Sequence, residues 1–199
     1  MTKDLKIAVL GSTNGTDLQA LIDNQIPVEI VISNKSRAGI LERAEKAGYP
    51  VLFISAKDKT REEFDQEVIK ILKAKEIDLI LLIGYMRYLS SEFVEQYRNK
   101  IMNIHPSLLP AFAGGMDKNV HEEVLKSGVK TTGCTLHFVD EGADTGPIIL
   151  QKEVAIVENE TIESLKNKVQ KAEQEVILRG IELFAENKLE VKEGKVIIK

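Results

Sequence analysis

Ile77-Asp78-Leu79-Ile80-Leu81-Leu82-Ile83 carries a single polar side chain in seven residues. A strand with one wet face alternates apolar and polar residues; this run does not. It reads as a central strand covered on both faces, the environment a parallel sheet creates. The segments before it repeat one rhythm. Leu5–Leu10 (LKIAVL), Val28–Ser33 (VEIVIS) and Pro50–Ile54 read as strands. Between them lie helix-periodic stretches: Asp17–Ile22, with Thr16 or Asp17 as N-cap, and Ala38–Ala47, closed by Gly48. Thr60–Lys75 follows, with Phe64, Val68, Ile71 and Leu72 on one face. After the central run come a helix over Ser91–Tyr97 and a short strand over Ile101–Ile104. This βαβαβα order predicts an α/β fold with a doubly wound, mostly parallel sheet, Rossmann-like in its N-terminal half.

The character changes after His105. Pro106–Lys118 reads as a long loop and Asn119–Ser127 as a helix. Thr131–Val139 and Ile148–Val157 are β-branched strands joined by a turn over Asp140–Pro147. A long helix over Ile162–Glu186 follows, then a hairpin of Leu189–Val191 and Lys195–Ile198 about Glu193-Gly194. This is a C-terminal extension of strands, long helix and hairpin. No repeat or flexible linker divides the chain, so one domain over 1–199 is expected.

With 199 residues, 43% hydrophobic and 29% charged, the chain is neither disordered nor of low complexity. Its size lets it bury about 70% of its unfolded surface, without a disulfide or metal staple. The formal net charge of −4 disfavours nonspecific binding of nucleic acid through a basic surface. The single cysteine, Cys134, excludes an internal disulfide and reads as a small buried hydrophobe. The first residues do not read as a signal peptide, and no apolar stretch approaches the ~18–20 residues that span a bilayer. A soluble cytoplasmic protein without membrane or nucleic-acid partners is expected.

Three segments carry candidate chemistry. Gly11-Ser12-Thr13-Asn14-Gly15-Thr16 follows the first strand. Its glycines allow positive φ, so successive N–H groups and the Ser12, Thr13 and Thr16 hydroxyls could converge on a small phosphate. It matches neither a dinucleotide fingerprint nor a P-loop; a tight turn with no ligand is the alternative. Asn103-Ile104-His105-Pro106 places an amide and an imidazole two residues apart at a strand end, where such folds bind ligands. Asn103 could donate to a developing oxyanion, and His105 could carry a proton. The third is Asp140-Glu141-Gly142-Ala143-Asp144-Thr145-Gly146-Pro147. An acidic residue held there could pair with His105 and raise its pKa, although the turn taken alone favours an ordinary surface turn. His121 and His137 read as surface or core histidines rather than ligands. Scattered histidines and one cysteine do not make a metal site, so none is expected.

Taken together, these segments resemble the folate-dependent formyltransferase family. NIHPSLLP (103–110) is specific for the wider family. HFVDEGADTGPII (137–149), the opening GSTNGTDLQALID (11–23) and GYMRYLS (84–90) resemble its further motifs. The resemblance implies formyl transfer from 10-formyltetrahydrofolate, as co-substrate, to the amine of glycinamide ribonucleotide in purine synthesis, by a monomer or homodimer without a metal; transfer to another amine such as an amino-sugar nucleotide, hydrolysis of formyl-folate, and a non-catalytic phosphate-binding module are the alternatives. It implies Asn103, His105 and Asp144 as the catalytic trio. Gly15, Thr16, Asp17, Gln170 and Glu173 would hold the ribonucleotide. Arg61, Met86, Arg87, Tyr88, Leu89 and Asn103 would hold the folate. The sequence departs from the family in two places: Gly15-Thr16-Asp17 replaces a commoner Gly-Ser-Asn, and the loop after Pro110 keeps only His121 of two closely spaced histidines. Asp17, being negative, is expected to cap the helix or take a ribose hydroxyl rather than face phosphate. Activity is expected to fall as acid protonates Asp144 and the acceptor amine.

Overall fold

The computed structural model describes residues 5–114 and 120–199. The chain packs as two units, one ending at Asn103 and the other beginning at Ile104.

In the first unit the apolar runs become strands: β1 (Ile7–Leu10), β2 (Ile30–Ser33), β3 (Val51–Phe53), β4 (Leu79–Leu82) and β5 (Ile101–His105). Every residue of β1, β2 and β4 is buried. Five strands lie in the order β3-β2-β1-β4-β5, with parallel pairing throughout. The order reverses direction at β1. β2 and β3 lie to one side of it and β4 and β5 to the other, so the loops leaving β1 and β4 open side by side, as ligand loops do in doubly wound sheets. The connecting helices are α1 (Leu18–Asp23), α2 (Gly39–Lys46), α3 (Arg61–Ala74) and α4 (Ser91–Gln96). α3 starts at a complete capping box between Thr60 and Glu63 and buries Phe64, Val68, Ile69 and Leu72. A fully buried side chain of that size contributes about 1.5–3 kcal/mol.

The second unit contains α5 (Val120–Ser127), β6 (Thr131–Phe138), β7 (Ile148–Ala155), α6 (Ile162–Ala185), β8 (Leu189–Lys192) and β9 (Lys195–Ile198). β6 and β7 pair antiparallel, and α6 packs on both. The buried stripe of α6, Leu165, Val169, Ala172, Val176, Ile177 and Ile181, has the helical spacing its sequence announces. β8 and β9 form the expected hairpin, with Glu193 and Gly194 both at positive φ (48° and 72°), the conformation of a tight two-residue turn.

The α/β, mostly parallel architecture is the one expected, and the differences lie at element ends. β1 begins at Ile7 rather than Leu5, because the Lys6 N–H is taken by Asp78 Oδ2 at 3.0 Å. β2 begins at Ile30 and β7 ends at Ala155, each two residues inside the expected limit. Asp17 occupies the N-cap of α1, but its side chain makes no capping hydrogen bond, which corrects the expectation that it caps the helix. Its backbone is already near-helical (φ −76°, ψ −18°), unlike the extended backbone at the capping residues Thr60 and Thr161. Cys134 is fully buried. Expectations for Asn119 and for the loop at 115–118 lie outside the described residues. No helix among the described residues is long and apolar enough to cross a membrane.

Candidate active site

His105 is the last residue of β5 and is 6% exposed. Asn103 stands two residues earlier on the same strand, so the alternation of a strand turns both side chains to one face. The segment after His105 is tied down by polar groups of the next two strands. Thr135 Oγ1 on β6 donates to the Ser107 carbonyl at 2.7 Å and accepts from the Leu109 N–H at 3.0 Å. Gln151 on β7 donates to the Leu109 carbonyl and to Thr135 Oγ1, at 3.0 and 2.9 Å. Ser107 Oγ donates to the Ala111 carbonyl at 2.6 Å. Phe112 then adopts positive φ (60°), and its carbonyl oxygen lies 3.0 Å from His105 Nε2.

The turn between β6 and β7 is organised by Asp140, whose Oδ1 accepts from the Gly142 N–H (3.0 Å) and the Thr145 hydroxyl (2.7 Å). Gly146 is obligatory: a Cβ there would sit 1.9 Å from the Phe138 carbonyl oxygen. Asp144 has φ +56°, a left-handed conformation that Asp tolerates better than most residues. A residue held there stores of order 1–3 kcal/mol of strain, and such residues cluster at functional sites.

That backbone aims the Asp144 carboxylate at three groups. Oδ2 lies 3.2 Å from His105 Nδ1 and accepts from the Gly114 N–H at 3.1 Å. Oδ1 lies 3.5 Å from His137 Nε2. His137 Nδ1, in turn, is 2.8 Å from the Phe138 carbonyl oxygen. Each imidazole thus has one nitrogen near a carbonyl oxygen, which only accepts, and the other near a carboxylate. For His105, only the doubly protonated ring donates to both.

Burial opposes that charge. It lowers the His105 pKa below the usual histidine value, while Asp144 and the Phe112 carbonyl pull it back up and His137 pushes it down again. The expected upward pull of Asp144 is present, but desolvation outweighs it, so the expected raised pKa is corrected to a lowered one. Asp144 shows the opposite balance. Burial raises its pKa, but the His137 hydrogen bond, the His105 charge and the Gly114 N–H outweigh burial and hold it at about 2. A carboxylate depressed in the folded state stabilises the fold above its unfolded pKa of about 3.9 and loses that contribution as the pH falls through its folded value. Acid unfolding followed by circular dichroism should therefore show a larger loss between about pH 4 and pH 2 in the wild type than in Asp144→Asn. Parallel curves for the two proteins over that range would remove the assigned pairing.

In the first unit, the loops after β1 and β4 are joined. The Ser12 N–H donates to the Gly84 carbonyl at 3.0 Å. Ser12 Oγ accepts from the Met86 N–H at 2.9 Å and donates to Asn34 Oδ1 at 2.6 Å. The Gly11 N–H is also taken, by the Ile32 carbonyl. The anion cradle expected over Gly11–Thr16 is thereby narrowed: two of its N–H groups and the Ser12 hydroxyl are already committed. Among the described residues, no backbone carbonyl takes the N–H groups of Thr13, Asn14 and Gly15. Gly15 is at φ +61°, and the space its Cβ would need is filled by Ile40 of α2, at 2.3 Å. Arg61 opens α3, exposed and paired with Glu62 at 3.0 Å. Tyr88 is 50% exposed, while Met86, Arg87 and Leu89 are half-buried.

The sequence pattern of the formyl transferase family matches residues 5–181. The chain belongs to the formyl transferase family. It is 42% identical over 202 residues to the human trifunctional purine biosynthetic protein adenosine-3, covering 98% of this chain but only 20% of that much longer protein. Phosphoribosylglycinamide formyltransferase of Haemophilus influenzae is 38% identical over 196 residues, 95% of this chain and 91% of that one. Among solved structures, glycinamide ribonucleotide transformylase 1 from Symbiobacterium toebii superposes with a TM-score of 0.91 at 40% identity, covering 98% of this chain and 93% of that chain.

In this formyl transferase, His105 and Asp144, 39 residues apart in sequence, are brought to 3.2 Å. Asn103 is fixed to His105 through β5. Gly15, Thr16 and Asp17 sit on the β1 loop and the start of α1, and Asp17 is buried. Gln170 and Glu173 lie one turn apart on α6, with Glu173 buried and Gln170 half-buried. The sequence reading missed His137, Thr135 and Gln151. The signal was there: Thr135 and His137 alternate as polar residues inside an otherwise buried strand, which marks one face of β6 as chemical rather than core.

Proposed function

We propose that the chain transfers a formyl group from 10-formyltetrahydrofolate to the primary amine of glycinamide ribonucleotide, as a single formyl transferase domain over 1–199. The observation that carries this reading is the His105–Asp144 pair at 3.2 Å on the family's NIHPSLLP segment. The names of the full-length relatives in bacteria supply the acceptor.

Asn103, His105 and Asp144 act as the catalytic trio. Attack of the amine on the formyl carbon puts negative charge on the formyl oxygen. The Asn103 amide donates to that oxygen; a donor of this kind commonly contributes ~2.7–4 kcal/mol. The amine nitrogen loses a proton, and the folate nitrogen that departs gains one. His105 carries that proton, and the opposed effects of burial and of Asp144 suit a ring that must take one and release it. Asp144 orients the ring through Nδ1 and stabilises its charged form. No covalent enzyme intermediate is required, because the amine is the nucleophile. Gly15, Thr16, Asp17, Gln170 and Glu173 hold the ribonucleotide, with Asp17 on a hydroxyl rather than the phosphate. Arg61 and Met86–Leu89 hold the folate, with Asn103.

The test is a formyl-transfer assay with purified protein and both substrates, in which water and an amino-sugar nucleotide compete as acceptors. Formylated ribonucleotide should appear in equal amount to the folate product. Consumption of formyl-folate without the ribonucleotide, or preference for the amino-sugar, would replace this reading. Binding of phosphate compounds with no transfer would reduce the chain to a binding module.

A further inference from the structure

Asp65 is fully buried on α3, where the other buried residues, Phe64, Val68, Ile69 and Leu72, are all apolar. Its Oδ2 accepts from the Ser90 N–H at 2.6 Å, and its Oδ1 has no hydrogen-bond partner among the described residues. Sequestering a carboxylate with so few partners is costly, and an apolar side chain would serve the core better. The cost points to a task outside the core. Ser90 ends the segment 84–90 and caps α4, accepting from the Phe93 N–H at 3.3 Å. One residue before Asp65, the Phe64 ring lies 4.3 Å beneath the Arg87 guanidinium, whose buried Nε also has no partner.

The same segment is pinned at its other end. Met86 and Gly84 are bonded to Ser12, and Gly84 is at φ +57° with Thr13 Oγ1 2.2 Å from where a Cβ would stand. Between the two anchors, Arg87, Tyr88 and Leu89 make no backbone–backbone hydrogen bond among the described residues. A short stretch with its donors and acceptors uncommitted, yet fixed at both ends, is shaped to offer them to a flat polar heterocycle.

We propose that Asp65 is a positioning residue: through Ser90 it fixes the 84–90 segment in the conformation that receives the folate co-substrate. This rests on the reading that Met86–Leu89 hold the folate. Asp65 touches no reacting atom, so its loss should weaken folate binding and leave the chemistry intact.

Asp65→Ala should raise the KM for 10-formyltetrahydrofolate at least tenfold. At saturating folate, kcat, the KM for the ribonucleotide and the pH profile should stay within about threefold of wild type. Hydrogen exchange of the hydrogen-bonded Met86 and Ser90 amides should quicken at least tenfold. Asp65→Asn, whose Oδ1 still accepts from Ser90, should return the folate KM to within threefold of wild type. Where Asp65→Ala does not fold, Asp65→Leu decides: it fills the buried space without an acceptor for the Ser90 N–H and should raise the folate KM at least tenfold. An unchanged folate KM in the folded variant overturns the proposal, as does a fall in kcat with both KM values rising together. Calorimetric titration with tetrahydrofolate separates the two levels of inference. A wild-type chain that binds it tightly, and Asp65→Ala weakly, without any formyl transfer would sink the proposed reaction and keep the positioning role.

Discussion

His105→Ala is expected to lower kcat by about 100- to 10,000-fold, the range that a positioned proton carrier contributes. The KM values for both substrates should stay within about threefold, because Nδ1 is held by Asp144 and the ring is assigned to moving the proton rather than to binding either substrate. The fold should survive. The loop beyond His105 is held by Thr135, Gln151 and Ser107 rather than by the ring, and Asp144 keeps His137 and the Gly114 N–H as partners. Free imidazole added to the variant should restore part of the lost turnover, since the space vacated adjoins the carboxylate that orients the ring. The acid limb of wild-type activity is assigned to His105 and the acceptor amine. Asp144 is held at about 2, so its protonation, expected to lower activity together with that of the amine, contributes only near that pH. Turnover within threefold of wild type in the alanine variant would remove His105 from the mechanism.

The parallel half of the fold was legible because strands buried on both faces leave continuous apolar runs, and β1, β2 and β4 are buried at every position. Element ends were less legible, since they turn on single side chains such as Asp78, which takes the Lys6 N–H. At the site, His105 and Asp144 were legible as residue types at a strand end and a shaped turn. Their meeting was not, because it depends on a positive φ at Asp144 and on Asp140 folding the turn. The sign of the His105 shift was misjudged because sequence shows a charge partner but not depth of burial. In the β1 loop the glycines were legible as a tight turn, but that Gly11 and Gly15 also make room for Ile40 was not, because it depends on where α2 packs.

Asp144→Asn separates charge from shape at the same position. Asparagine tolerates the left-handed backbone that Asp144 adopts, so the turn should keep its course. What disappears is the negative charge 3.2 Å from His105 Nδ1. That charge raises the His105 pKa against the effect of burial, so its removal drives the ring further below the ordinary value. Two consequences follow in the same experiment. The acid limb of kcat/KM should move to lower pH, because the imidazole now stays neutral further into acid. The plateau above it should fall by about 100-fold or more, because the neutral amide, which can still accept from Nδ1, does not stabilise the imidazolium. A lowered plateau with an unmoved acid limb would mean that Asp144 acts on geometry alone. A limb that moved toward higher pH would contradict the electrostatic assignment altogether.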